Sequence, residues 1–265
     1  MGGGWGRADA LEQAASSLEG RGSPPEPEGH VPKTSPANGT PPAPQKTPSA
    51  TAPQQKAGFR PGALSARYES NGDPGAISTG KGDPGSVSYE AYQIKKANVA
   101  AFVAHEGAKW PELQGKTPGS AGFGTAWKAV AAKDPKGFEA AQYAYIARTH
   151  YQPQLDLVRQ ATGVDVPDRS HALQDVVWSS AVQHGPASHI VSGAIHTAEA
   201  HGSQPTDSGF DAAVINAVYD ERGRARPDGV LVHFHRSSSG EQRGIAARFR
   251  SERRRALAGL TSEGQ

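Results

Sequence analysis

The prolines of this 265-residue chain are placed unevenly, and this limits what its first part can fold into. Ten of the 21 lie within residues 1–60, among Ser, Thr, Gln, Gly and Ala, with almost no bulky apolar side chains. Such a segment buries too little apolar surface to offset the entropy that is lost on ordering it. We therefore predict a disordered leader or linker over residues 1–60, one folded domain over residues 61–260 and a short tail over residues 261–265. A domain of about 200 residues is large enough for one core.

From Lys95 onward, apolar side chains recur every three to four residues, which is the period of an amphipathic helix. Asp134-Pro135 is a helix start signal, Ser170 is a helix cap and Gly163 is a helix end. The predicted helices are the stretch after Lys95, residues 135–146, 155–161, 171–184, 188–200 and 210–221, and a last one through residues 245–257. Val230–Phe234 is the one strand-like run in this part. The predicted fold class is therefore mainly α, in an α+β domain with little sheet.

Composition excludes several functional classes. The chain has no Cys, so it has neither disulfides nor thiolate metal sites. Its net charge of +2 is too small to indicate a nucleic-acid partner. No stretch of the sequence is apolar enough for a membrane span, and the first twenty residues lack the apolar core of a signal peptide. We predict a monomer that requires no cofactor and no metal.

The histidines and one serine pair offer weaker alternatives. None of the pairs His184/His189, His196/His201 and His233/His235 has the i,i+4 spacing of a helical zinc motif. Ser179-Ser180 precedes His184 without the Gly-x-Ser-x-Gly elbow of serine hydrolases. We interpret these side chains as the polar edge of a buried helix, and Trp178 in the same helix as a core residue.

The stretch Leu64–Ile94 contains too many Gly and Pro residues for a long helix or a regular strand, yet it is rich in polar side chains. Glu69 lies at the predicted end of a short helix, and two copies of Gly-Asp-Pro-Gly follow, with Asp73 and Asp83. Glycoside hydrolysis needs two carboxyl groups in different protonation states. We favour Glu69 and Asp83 as this pair and keep Asp73 as the alternative second carboxylate. Asp-Pro-Gly is also a common turn, so both aspartates have a purely structural alternative.

Three consecutive motifs in this stretch resemble the catalytic signature of the lysozyme superfamily: Glu69-Ser70, then Asp73 to Ser78, then Ser88 to Ile94. In detail the stretch is similar to the peptidoglycan-cleaving domain of phage lytic proteins and of VgrG-type secretion spike proteins and their effectors, which is distantly related to chitosanases. Trp178 to Gly185 and Gly244 to Glu252 resemble the same family, so the resemblance spans about residues 61–260. It implies a lysozyme-like helical domain in which a small sheet, formed by hairpin arms within residues 76–94, flanks the cleft.

The resemblance also implies an activity, that of a peptidoglycan muramidase which cleaves between N-acetylmuramic acid and N-acetylglucosamine. Glu69 is the expected acid, and Asp83 is expected to direct the attacking water. The side chains expected to position the loop, the water or the sugar are Ser78, Thr79, Ser88, Tyr89, Tyr92 and Gln93. Tyr92 and Ile94 have a core position as their alternative. Glu90 stands where the related pattern generally has Gly, and it adds a third carboxylate near the loop.

Two other functions stay open at this stage. A lytic transglycosylase would use Glu69 alone, as acid and then as base. A non-catalytic glycan-binding module of a secretion or phage particle would need no pair of ionisable residues. The expected partners are peptidoglycan strands, with a secretion-spike protein or an immunity protein as further candidates. Because no signal peptide is recognised, delivery from the cytoplasm to the periplasm or to a target cell wall is expected to use a secretion system or phage lysis.

Overall fold

The structure, a computed structural model, describes residues 59–62, 73–79, 87–90 and 94–263, with the backbone alone for Thr79, Val87 and Glu90. The predicted leader lies almost entirely outside these residues. Four predicted site residues also lie outside them: Glu69, Asp83, Tyr92 and Gln93.

Helices make up most of the described chain. In chain order they are α1 Lys96–Ala104, α2 Ala121–Lys133, α3 Pro135–Ile146, α4 Gln152–Thr162, α5 His171–His184, α6 Ile190–Ala200, α7 Phe210–Arg222 and α8 Ser239–Glu263. A π-helical turn at Ala147–Tyr151 joins α3 to α4. Short 3₁₀ turns lie at Pro111–Leu113, Val166–Asp168 and Val232–Phe234. The prediction of a mainly α fold is confirmed.

Local chemistry sets several helix boundaries where the sequence predicts them. The Ser170 hydroxyl accepts a hydrogen bond from the Leu173 N–H at 3.2 Å, and the Asp134 carboxylate accepts one from the Gly137 N–H at 2.9 Å. Each of these side chains thus satisfies a donor in the first turn of the helix that follows it. Gly163 ends α4 with a φ of +74°, a left-handed conformation that glycine adopts without strain.

Helix α2 is a helix that the sequence analysis did not predict. Glycines at positions 122 and 124 have low helix propensity, so the local sequence signal for its first turns is weak. Its start signal is nevertheless present, because the Ser120 hydroxyl accepts a hydrogen bond from the Phe123 N–H at 3.1 Å. Phe123, Trp127 and Val130 then recur at helical spacing, and all three are fully buried.

The prediction of a strand at Val230–Phe234 is wrong. Val232–Phe234 forms a 3₁₀ turn, and Leu231 makes only an isolated bridge with Ala225. Leu231 and Phe234 are the buried residues of this run, and Phe234 packs on a helix, since its ring lies 5.9 Å from the Phe249 ring of α8. A short apolar run has the same appearance in a strand and in a buried turn.

A small antiparallel sheet of three strands, in the order β1-β2-β3, precedes the helices: β1 Ala76–Thr79, β2 Val87–Glu90 and β3 Ile94–Lys95. In β1 and β2, Ser78 pairs with Ser88 and Ile77 pairs with Tyr89. The predicted hairpin arms within residues 76–94 are therefore confirmed. Because side chains alternate along a strand, Ser78 and Ser88 share one face of the sheet and Tyr89 belongs to the other.

One continuous apolar core connects the sheet to all eight helices. At its sheet end, aromatic rings surround Trp127, with Tyr89, Phe102 and Phe138 at centroid distances of 4.8, 5.5 and 4.6 Å. Trp178, as predicted, is a core residue that is 1% exposed. Of the helices that the structure describes, none combines the length and the apolarity that crossing a membrane would require.

Candidate active site

The first Asp-Pro-Gly turn is fixed to the helical body through the backbone of Pro74. The Pro74 carbonyl accepts hydrogen bonds from Trp127 Nε1 of α2 at 3.0 Å and from Gln142 Nε2 of α3 at 2.9 Å. Both donors belong to fully buried side chains. A buried donor that loses its partner costs about 1–3 kcal/mol, so these two bonds resist movement of the turn.

Asp73 has a definite structural role in this turn. Its Oδ1 accepts a hydrogen bond from the Gly75 N–H at 2.8 Å, as in an Asx turn, although the residue as a whole is exposed. Gly75 must be small, because a Cβ there would lie 2.9 Å from the Cβ of Ala131 in α2. The contacts of Asp73 therefore support its alternative role as a turn-forming residue.

A second anchor lies at residues 59–62, on the other side of the segment that contains Glu69. The Gly62 N–H donates to Asp175 Oδ1 at 2.5 Å, and the Phe59 ring stacks on the His171 ring at 3.8 Å. Gly62 has a φ of +96°, and a Cβ there would lie 2.7 Å from Trp178 Nε1. Position 62 therefore requires glycine both for its backbone conformation and for its close approach to α5.

Arg60 attaches the same anchor to α3. Its guanidinium lies 3.6 Å from the centre of the Tyr143 ring and bonds Glu139 at 3.0 Å. Tyr143 in turn stacks on Trp178 at 4.6 Å, with the two rings within 9° of parallel. Gln142 and Tyr143 follow Glu139 by three and four residues, so both lie beside it on α3 and this helix contacts both anchors.

Four of the predicted site residues lie in β1 and β2. Ser78 is partly exposed and pairs in register with Ser88, whose hydroxyl is buried and finds no hydrogen-bond partner among the residues that the structure describes. Of Thr79 only the backbone, in β1, is described. The Tyr89 hydroxyl accepts a hydrogen bond from the Gly119 N–H at 2.7 Å.

Tyr89 has a core position in this structure. Its side chain is 1% exposed, and its ring packs edge-on against Phe123 at 5.2 Å. Burial raises the pKa of its hydroxyl, and the hydrogen bond from Gly119 only partly opposes this. The ring thus offers no free face on which a sugar could stack, and the contacts of Tyr89 support a structural role.

A buried polar cluster that the sequence analysis missed lies among α5, α7 and α8. Arg222, which is 0% exposed, donates to Ser179 Oγ at 3.2 Å and to Gln183 Oε1, and its Nη1 lies 3.5 Å from Glu252 Oε2. Glu252 also accepts from Arg248 Nε at 2.5 Å. The signal for this cluster was Glu252 itself, since a carboxylate within the apolar stripe of a helix needs a buried cationic partner.

This cluster joins two of the motifs that carry the family resemblance. Ser179 and Gln183 belong to the motif from Trp178 to Gly185, and Arg248 and Glu252 belong to the one from Gly244 to Glu252. Arg222 bonds both. The contacts of Ser179 therefore agree with the interpretation of a polar edge on a buried helix.

Within residues 59–62, 73–79, 87–90 and 94–263, no three His, Cys, Asp or Glu side chains are grouped so that they could hold a metal ion. His184 and His233 do come together, with ring centroids 5.3 Å apart. The only carboxylate that the structure places on either ring is Glu221, whose Oε1 lies 2.9 Å from His233 Nε2.

Comparison with known proteins identifies the family of this chain. Residues 61–253 match the family of C-terminal domains of type VI secretion system spike proteins that are VgrG3-like, and the chain belongs to this family. The relationship to VgrG-type secretion spike proteins that the motifs indicated is thereby confirmed. The chain is also similar to one particular protein, the type VI secretion system spike protein VgrG3 of Vibrio cholerae serotype O1, with 32% identity over 162 residues. That match covers 60% of this chain and 15% of VgrG3, so the chain spans only a small part of that protein's length.

Proposed function

We propose that this domain is a muramidase that hydrolyses the glycan strands of peptidoglycan, carried to its target by a type VI secretion spike. The observation that carries the proposal is the double attachment of the Glu69 segment. Gly62 and Pro74, the described residues on either side of it, are both bonded to buried side chains of the helical body. Membership of the VgrG3-like family and the lysozyme-like motifs support the same function.

Chain geometry supports Glu69 as the acid. Glu69 precedes Asp73 by four positions, so their Cα atoms can be at most about 14 Å apart. Asp73 belongs to a turn fixed on α2 and α3, so the cleft of the acid is proposed to lie beside this turn. A carboxyl group in a partly apolar cleft keeps its proton near neutral pH and can donate it to the glycosidic oxygen.

Asp83 is the proposed second carboxylate. Asp73 already uses one carboxylate oxygen to hold its own turn, which favours Asp83 for the work of directing water to the anomeric carbon. An inverting hydrolase needs its two carboxyl groups about 6.5–9.5 Å apart, so that a water fits between the sugar and the base. Ser78, Thr79 and Ser88 are proposed to orient the loop or this water, and Tyr92 and Gln93 to contact the sugar.

The decisive experiment is mass spectrometry of the fragments that the parent and its variants release from purified sacculi in ¹⁸O-labelled water. We expect the parent to release fragments that carry ¹⁸O at the new reducing end. Glu69→Gln and Asp83→Asn should release almost none. Asp73→Asn keeps the turn-forming oxygen and should remain active, as should Glu90→Gln, which is the control for removing a nearby carboxylate.

Other results would assign another function. Unlabelled 1,6-anhydro ends, together with activity that survives Asp83→Asn, would identify a lytic transglycosylase that uses Glu69 alone. Parent protein that binds sacculi without releasing fragments would identify a non-catalytic glycan-binding module. Activity of Glu69→Gln equal to that of the parent would refute the assignment of the acid.

A further inference from the structure

A cleft of ≈ 540 Å³ lies between α6 and α7, apart from the anchors of the Glu69 segment. We call it the histidine cleft, because His184, His189, His233 and His235 line it. Its volume is in the range of small-ligand sites. None of these histidines has a part in the proposed glycan cleavage.

The walls of the histidine cleft suit small aliphatic groups. Ile190, Gly193 and Ala194 of α6 face Ala217 of α7 and Val232 across it. Trp, Tyr and Phe are absent from its described lining, so it lacks the flat apolar rings on which pyranose rings usually stack. This lining favours short side chains such as that of alanine and disfavours a sugar.

One residue of the lining has a buried polar atom that lacks a hydrogen-bond partner. His184 is 5% exposed, and its Nε2 has no hydrogen-bond partner in the part of the chain that the structure describes. Burial, and to a lesser degree the nearby charge of Arg222, lowers the pKa of His184 well below its usual value, so the ring stays neutral. A neutral imidazole is matched by a neutral partner that both donates and accepts, and a peptide amide is such a group.

The charge of the lining further limits which ligands fit the cleft. Glu221 is its only acidic residue, and no Lys or Arg is present among the described residues that line it. Glu221 Oε1 accepts from His233 at 2.9 Å, and Arg224, which does not line the cleft, bonds both oxygens of this carboxylate, at 2.7 and 2.9 Å. These hydrogen bonds, that from Arg224 first, hold the pKa of Glu221 below its usual value, so the carboxylate stays charged. A cationic group is therefore favoured here over an anion.

We propose that the histidine cleft binds a short peptide with small side chains, through its amide at His184 and through a free amino group at Glu221. Resting on the proposed function, this identifies the peptide stems of peptidoglycan as a second part of the substrate that the domain recognises. Those stems are short, rich in alanine and, in many bacteria, end one side chain in a free amino group.

The test is isothermal titration of the full chain with a glycan-free stem tetrapeptide of the lysine type, L-Ala–γ-D-Glu–L-Lys–D-Ala, whose diamino-acid side chain ends in an amino group alone. Gly193→Leu fills the cleft, since a Cβ at Gly193 meets nothing within 4 Å. Gly244→Leu is the matched control, because Gly244 also lies within a helix, in open space, and does not line the cleft. We expect Gly193→Leu to weaken binding by about tenfold or more and Gly244→Leu to leave it unchanged.

A second arm tests the amino group and does not depend on Gly193→Leu folding. Acetylating the side-chain amino group of the diamino acid should weaken binding to the parent but not to Glu221→Gln. Absence of tetrapeptide binding by the parent at millimolar concentration, equal binding by the two leucine variants, or an equal effect of acetylation on parent and Glu221→Gln would each overturn the proposal. Glu69→Gln should bind the tetrapeptide as the parent does, so the cleft and the muramidase assignment fail in separate measurements.

Discussion

Replacing Gly62 by Ala should release the segment before Glu69 from the helices while the rest of the domain stays folded. Gly62 has a φ of +96°, and a Cβ there would lie 2.7 Å from Trp178 Nε1. Gly163 also has a positive φ, of +74°, but a Cβ there would meet nothing within 4 Å. Gly163→Ala is therefore a matched control, which introduces the backbone strain without the collision.

The two variants should differ in stability by an amount that the contacts define. A left-handed conformation costs a residue with a side chain about 1–2 kcal/mol, and a stiffer unfolded chain returns roughly 0.4–1 kcal/mol, so Gly163→Ala should lose about 1 kcal/mol. The collision at Gly62 adds about 1–3 kcal/mol if residues 59–62 stay in place. Releasing these residues instead gives up the bond to Asp175, about 1.5–3 kcal/mol, and a partly exposed ion pair of about 0.5 kcal/mol. Since these costs are similar, Gly62→Ala should lose about 2–4 kcal/mol and populate the released form.

Circular dichroism melts and lysis of purified sacculi measure the two effects. For a domain of about 200 residues, Gly163→Ala should lower the Tm by about 2–4 °C and Gly62→Ala by roughly 4–16 °C. Well below both transitions, Gly163→Ala should lyse sacculi like the parent. Gly62→Ala should be slower by about tenfold or more if Glu69 is the acid as proposed, because catalysis is sensitive to small displacements of a catalytic group. Equal Tm values, or equal lysis by the two variants, would refute the idea that this contact positions the Glu69 segment.

Three further predictions concern stability. Arg222→Met should lower the free energy of unfolding by about 3 kcal/mol in denaturant titrations, since it removes a buried partner of Glu252, and a loss under about 1 kcal/mol would contradict this. Ser170→Ala should cost about 1 kcal/mol by leaving the first turn of α5 uncapped, and Ser170→Asn, which can still cap, should restore it. Burial lowers the folded-state pKa of His150 and His184, so the unfolded chain takes up protons on these rings more readily, and stability should fall as the pH drops below about 6.5. Replacing both residues by Gln should therefore flatten the dependence of Tm on pH. An unchanged slope would count against the burial of these rings.

Most of the helical framework could be predicted because its signals are local. The cap at Ser170, the Asp134-Pro135 start and the Gly163 end each act within a few residues, and the sequence displays all of them. The stretch at 230–234 was predicted wrongly for a related reason: its burial comes from packing against α8, which is distant in the sequence. The local pattern of a short apolar run does not show whether the run is buried as a strand in a sheet or as a turn packed on helices.

The anchors of the candidate site could not be predicted in the same way. Gly62 and Asp175 are 113 residues apart, and Pro74 and Gln142 are 68 residues apart. Nothing beside Gln142 or Asp175 in the sequence marks either side chain as the partner of a distant backbone group. The motifs therefore led to the proposed catalytic residues, while the residues that hold the two anchors became visible only in the folded chain.

Helix α5 explains why the motif from Trp178 to Gly185 accompanies the predicted catalytic stretch although it lies a hundred residues away. Asp175 and Trp178 hold the Gly62 anchor, and one and two turns further on Ser179 and Gln183 bond Arg222. Arg222 is held in turn by Glu252 of α8, so the buried cluster fixes the helix that carries the anchor. A loss at Arg222 should then slow lysis even under conditions where the domain is fully folded, because α5 would no longer hold Asp175 in place. If Arg222→Met lowered stability but left lysis by the folded protein unchanged, the cluster would serve the core alone.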